Sequence, residues 1–141
     1  MSPSLKEVGL AVKRLQWRHH REGNRRLSAH AGLSLVQWDV LRHLNEQPDA
    51  TLHTLAELTF QTDQSMGTLA KRMIDRGLLK RADGPGRATR HELTEDGRRA
   101  YEAGSVILEE VLAESIGTLT EAERGVLHGL LIKAAQAGPR R

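Results

Sequence analysis

The sequence predicts a mainly α protein with one small two-stranded β-hairpin, on three observations. Apolar residues recur at helical spacing through most of the 141 residues, the mark of amphipathic helices. Helix starts are signposted: Ser34-x-x-Gln37 and Thr120-x-x-Glu123 are capping boxes, in which each side chain satisfies an orphan backbone donor. The pattern changes after Gly77, which suits the left-handed residue that ends a helix. There, two short runs (78–82 and 89–93) flank a Gly84-Pro85-Gly86 tip and can pair.

Taken in order, residues 5–31 read as one long helix, with Leu5, Val8, Val12 and Leu15 forming an apolar stripe. Gly23 and Asn24 predict a kink or break in its middle. That seam has no obvious partner within the chain. It is expected at a dimer interface, the alternative being packing on the chain's own C-terminal helices. Ser34 opens a helix that buries Trp38, Val40, Leu41 and Leu44 and ends by Pro48. Thr51 caps a short helix with Leu52, Leu55, Ala56 and Leu58 apolar, and the turn at 59–61 leads to Thr62. From Thr62 a further helix buries Met66, Leu69, Ala70, Met73 and Ile74, and its other face carries Gln64, Ser65, Thr68, Lys71 and Arg72. Thr94 caps a long helix, with Glu95 and Asp96 at its positive end and Ala100, Gly104, Ile107, Leu108, Val111 and Leu112 along one face. The last helix, from Thr120, is expected to turn Val126, Leu127, Leu130, Leu131, Ala134 and Ala135 inward, and residues 138–141 read as a frayed tail.

Composition narrows the function. Aromatics are only 3% of the chain, so the core is aliphatic and thin, as suits a helical protein that completes its burial by dimerising. The net charge of +3 is unevenly spread. Cations crowd 13–26 and 71–90, whereas 92–114 is acidic, an asymmetry that fits one face turned to a polyanion. Absence of cysteine excludes disulfides and thiolate chemistry. The seven histidines lack His-x-x-x-His spacing, so no metal site is expected. Without a G-x-S-x-G, a P-loop or a carboxylate constellation, no enzyme is expected either. No apolar run approaches the roughly 18 residues of a membrane span, and Lys6 and Glu7 interrupt any secretory signal. A cytoplasmic chain with no membrane contact is expected.

Three short helices followed by a hairpin make the order of a winged helix-turn-helix, here over about 33–94 within a single domain of 1–141. Its third helix presents its first turns to the major groove. Gln64 can bond an adenine edge in a bidentate manner, and Lys71 or Arg72 can reach guanine or phosphate. Thr62, Ser65 and Thr68 complete the helix face, with Ser65 and Thr68 suited to phosphates or a thymine methyl. Arg81 and Arg90, flanking the tip, are expected on phosphates. A second reading keeps the winged helix as a protein-interaction module whose cations only solubilise it.

Several stretches together resemble the MarR-type transcriptional regulators. They are Leu33-Ser-Leu-Val-Gln-Trp-Asp-Val-Leu41, Leu55-Ala-Glu57, Gln64-Ser65, Arg76-Gly-Leu-Leu79, Leu93-Thr-Glu-Asp-Gly97 and Leu119-Thr-Glu-Ala-Glu-Arg124. No single motif is specific, but the ordered set spans about residues 5–136. The resemblance implies a homodimer in which helices at about 5–31 and 95–136 interlock. Leu5, Val8, Val12, Leu15, Leu127, Leu130 and Leu131 are then interface residues. Two lobes would straddle a pseudo-palindromic operator, entering major grooves about 34 Å apart. It further implies a repressor released by a small aromatic or phenolic acid. Trp17, Arg18, His20, His30 and Trp38 are the candidates to hold that effector, and no other cofactor is implied. Arg87 would enter the minor groove. Two positions depart from the family pattern: Pro85 stands where an acidic residue is frequent, and Phe60 where a turn glycine is.

Overall fold

The computed structural model describes residues 1–82, 86 and 88–138. The chain runs α1 (Leu5–Ala31), α2 (Leu35–Glu46), α3 (Leu52–Leu58), α4 (Asp63–Asp75), β1 (Leu79–Ala82), β2 (Arg90–Leu93) and α5 (Glu95–Ala113). A 3₁₀ turn (Ile116–Thr118) and α6 (Glu121–Gln136) complete it. The architecture is a winged helix-turn-helix lobe, from α2 to β2, carried on α1 and α5.

Local chemistry starts the helices where the sequence places them. The hydroxyls of Ser34, Thr51, Thr62, Thr94 and Thr120 accept the amides of Gln37, Thr54, Ser65, Gly97 and Glu123, each cap contributing about 1 kcal/mol. Ser4 and Glu7 form a further capping box on α1. Contrary to expectation, α1 runs unbroken through Gly23 and Asn24. Gly23 is there for closeness. A Cβ at that position would lie 2.8 Å from Leu108 Cδ2, so its absence lets α5 approach α1. Asn24 Oδ1 accepts the orphan amide of Leu35 at 2.8 Å and so ties the start of α2 to α1.

The core sits under the lobe. Leu27, Leu33, Val40, Leu41, Leu55, Met66, Met73 and Leu79 bury their side chains there. Trp38 is half-buried at its edge, stacked on Tyr101 at 5.9 Å, with Nε1 donating to Tyr101 O and Ser105 Oγ at 3.3 Å. Gly104 admits it, since a Cβ there would stand 2.6 Å from Trp38 Cδ1. The wing strands pair antiparallel from Leu79↔Leu93 to Ala82↔Arg90, and Lys80 meets Glu92 at 3.2 Å across them. Thr51 bridges Arg90, and the Leu52 amide donates to Thr89 O at 2.9 Å, fixing the base of the hairpin to the start of α3. The wing then joins α5 at Thr94, whose hydroxyl donates to Gly77 O at 2.5 Å and accepts the Gly97 amide at 3.0 Å.

His91 on β2 is only 3% exposed, and its Nδ1 finds no partner among the described residues. Burial, and then the Arg81 charge, push its pKa below the ordinary 6.5. His43 and His19 shift the same way, chiefly by burial. A base held neutral in the fold but free to charge when unfolded leaves stability untouched above about pH 6.5 and erodes it as pH falls below that value. Exposed His53, raised by Asp63, has the opposite sign: its contribution is present below pH 6.5 and lost as pH rises through its folded value. Three histidines shift down against this one, which is fully exposed and screened by solvent. Urea midpoints should therefore fall between pH 7.5 and 5.5, and His91→Leu should flatten that slope; an unchanged slope would refute the assignment.

The C-terminal helix departs from expectation. No residue of α6 is buried: Val126, Leu130 and Leu131 face solvent, with Leu130 58% exposed, and Leu127 is half-buried. Nothing else in the described chain covers that face. The stripe on α1 is bare too, with Leu5, Val8 and Val12 exposed and Leu15 half-buried. Among the described residues no helix is long and apolar enough to cross a membrane.

Candidate nucleic-acid interface

Helix α4 has two chemically distinct faces because its apolar residues fall at 66, 70 and 73. Met66, Ala70 and Met73 anchor it in the core. Gln64, Ser65, Thr68, Lys71 and Arg72 are left exposed, with N-cap Thr62 ahead of them. Gln64, Ser65, Thr68 and Arg72 line one shallow cleft of about 360 Å³ together with Gln61 and with Val36 of α2. Lys71 lies outside it. Amide, hydroxyl and guanidinium groups thus share one surface, and among the described residues Lys71, Arg72 and Arg81 have no ion pair to give up. Asp63 is the acidic exception on this helix. His53 of α3 covers it, with Nδ1 2.8 Å from Asp63 Oδ1 and Nε2 3.0 Å from Glu57 Oε1. The Asp63 hydrogen bond, backed by the charges of Asp63 and Glu57, raises the His53 pKa.

On the wing, Arg81 is exposed, whereas Arg90 donates from Nε to Asp49 O at 3.3 Å and so also braces the hairpin. Arg87 and Pro85 lie outside the described residues. So does the tail at 139–141.

A second concavity, about 640 Å³, opens between α1, α2, α5, the 3₁₀ turn and α6. Val8, Leu15, Trp38, Leu108, Val111 and Leu127 are among the apolar groups in its wall, and His19 and His20 supply polar atoms. Of the five candidate effector residues, His20 and Trp38 meet here. Trp17 stacks on His20 at 5.7 Å but borders a different surface cleft with Arg14, Arg18 and Arg21. Arg18 donates to Glu114 O at 3.4 Å, and His30 is exposed at the far end of α1. His19 was missed. It follows Leu15 at the next step of the apolar stripe, so spacing alone places it on the groove, where it lies 2.6 Å from Ser115 Oγ. The first turn of α2 joins both concavities: Leu35 and Trp38 line the groove, Val36 lines the α4 cleft, and Gln37 Oε1 accepts from Arg76 Nη1 at 3.2 Å. Among the described residues no group of three His, Asp or Glu could hold a metal.

The sequence model of the MarR family matches residues 31–88, which run from the end of α1 through α2, α3 and α4 to the first strand of the wing. That stretch matches the MarR family, and the whole chain has the MarR-type winged-helix fold. Solved structures with MarR-like folds cover nearly all of it. A probable transcriptional regulator from Pseudomonas aeruginosa is 25% identical over 90% of this chain and 96% of its own, with a TM-score of 0.75. The PcaV transcriptional regulator from Streptomyces coelicolor, solved with its natural ligand, is 24% identical over 97% and 98%, with a TM-score of 0.75. A MarR family protein of Mycobacterium tuberculosis, solved with DNA, is 22% identical over 94% and 98%, again with a TM-score of 0.75. No curated protein matches this chain.

Proposed function

We propose that the protein is a homodimeric, sequence-specific DNA-binding repressor that acts in the cytoplasm and is released from a pseudo-palindromic operator by a small aromatic or phenolic acid. One observation carries the reading: Gln64, Ser65, Thr68 and Arg72 form a single exposed donor-rich surface on a helix whose opposite side is locked in the core. Gln64 reads base edges there, while Arg72, Lys71 and Arg81 hold phosphates. Arg90 reaches a phosphate only from the base of the wing that it braces. Arg87 keeps the minor-groove role that the family resemblance implies.

Bare apolar stripes on α1 and α6 support the dimer, because burying them needs a surface that the described residues do not supply. A second copy would set two α4 helices about 34 Å apart on one face of the duplex. The apolar groove with His19, His20 and Trp38 suits an aromatic ring bearing one polar group, and a Mycobacterium tuberculosis relative was solved with salicylic acid. Release requires that the effector bind the DNA-incompetent arrangement more tightly.

The test is fluorescence anisotropy against the DNA upstream of its own coding sequence and against a scrambled duplex, at several salt concentrations. Specific binding should weaken with salt at about 0.9 log units per phosphate contact. Arg72→Ala should lose affinity for both duplexes and shallow the salt slope by about one contact. Gln64→Ala should instead lose about 1–3 kcal/mol of preference at one base pair and leave the slope alone. A wild-type protein with no salt-sensitive binding to either duplex would move the lobe to the protein-interaction reading.

A further inference from the structure

The chain has a single phenylalanine, and it is placed where folding gains nothing from it. Phe60, in the turn between α3 and α4, is 96% exposed. Its φ is +58°, the one positive value among the described non-glycine residues. A bulky side chain in the left-handed region is an outlier, since that conformation crowds Cβ against the backbone and is the natural place of glycine. The turn is over-determined by its neighbours: the Phe60 amide donates to Glu57 O, the Gln61 amide to Ala56 O, and buried Thr59 donates from Oγ1 to Leu55 O at 2.6 Å. Backbone geometry therefore demands a left-handed residue here, and the sequence fills the position with its only phenyl ring. Packing does not explain the choice.

The position explains it. Phe60 stands two residues before N-cap Thr62 and four before Gln64, so at most about 14 Å of chain separates it from the leading base-reading residue. Its neighbour Gln61 already lines the cleft with Gln64, Ser65, Thr68 and Arg72. Val36 and Leu69 of that cleft are apolar but half-buried, whereas Phe60 offers a fully exposed ring to the one apolar group that the major groove displays, the thymine C5-methyl. We propose that Phe60 is a DNA-contacting, specificity-determining residue that packs its ring against a thymine methyl at the edge of the half-site.

The proposal rests on the DNA-binding reading, and its test separates the two. Duplexes selected by the wild-type protein from a random library are resynthesised with deoxyuridine in place of single thymines, removing one methyl at a time. Wild-type protein and Phe60→Gly are then titrated against each duplex. Wild type should lose about 3- to 10-fold at one thymine, within the range of an apolar base contact. Phe60→Gly should bind the parent duplex more weakly by a similar factor and show no further loss at that thymine. Its melting temperature should equal or exceed that of wild type, because glycine accepts the turn without strain. A Phe60→Asn variant, also tolerant of positive φ, gives a second route to the same loss. Equal affinity of wild type and Phe60→Gly would overturn the proposal, as would an unchanged deoxyuridine profile in a weakened variant. Failure of wild type to select any duplex would instead remove the function on which the proposal stands.

Discussion

Replacing Gly97 by alanine will destabilise the protein by about 3 kcal/mol or more, at the upper end of what overpacking costs. Gly97 sits in the first turn of α5, directly on the backbone of Leu78, the residue before β1. An added Cβ would run into the Leu78 carbonyl oxygen and stand 3.0 Å from its carbon. That oxygen cannot retreat, because it accepts the Thr94 amide at 3.1 Å and so helps fix the cap of the same helix. Relief requires α5 to lift away from the wing, and α5 is also what α1 packs on. Such a loss is a large share of the roughly 5–15 kcal/mol that holds a domain together. Gly125→Ala is the matched control, as a Cβ there meets nothing within 4 Å and the change should add up to about 1 kcal/mol through helix propensity. Urea unfolding of both variants decides the matter, and a Gly97→Ala midpoint equal to wild type would show that the contact yields.

On the proposed dimeric, operator-binding reading, Leu130→Glu should convert the protein to monomers and abolish operator binding. In the isolated chain Leu130 is exposed, and a surface substitution of this kind should change stability by less than about 0.5 kcal/mol. In a dimer the same glutamate is buried without a counter-ion, which costs several kcal/mol per charge. It enters twice, because a two-fold interface repeats every substitution. Sedimentation velocity distinguishes the cases. A variant that remains dimeric and holds DNA would place the interface elsewhere.

The elements were legible where their causes are local. A cap needs one hydroxyl and the next three residues, so Ser34, Thr51, Thr62, Thr94 and Thr120 could be found without knowing what surrounds them. Gly23 was misread because its reason is Leu108, 85 residues further on, and chain-local propensity contains no trace of that contact. The inward face of α6 was misread for a different cause: periodicity reports that a stripe wants burial but not which chain supplies the cover. At the effector groove, Trp17 and Arg18 are neighbours of His20 in sequence, yet the turn of α1 sends them to another side of the helix. His19 obeys the apolar period and was overlooked because histidine is not counted as an apolar residue.

The opening turn of α2 has a thermodynamic consequence. Leu35, Val36, Gln37 and Trp38 belong to one rigid helical turn, so a change of tilt made for one concavity is made for the other. On the proposed reading, the factor by which an effector weakens the hold on DNA equals the factor by which DNA weakens the hold on the effector. Protein seated on its operator is then a poorer sensor than protein free in solution. Unseated molecules fill first as effector accumulates, and the operator is cleared only once that reserve has been occupied. The abundance of the regulator, and not only its affinity, would set the concentration at which its genes respond.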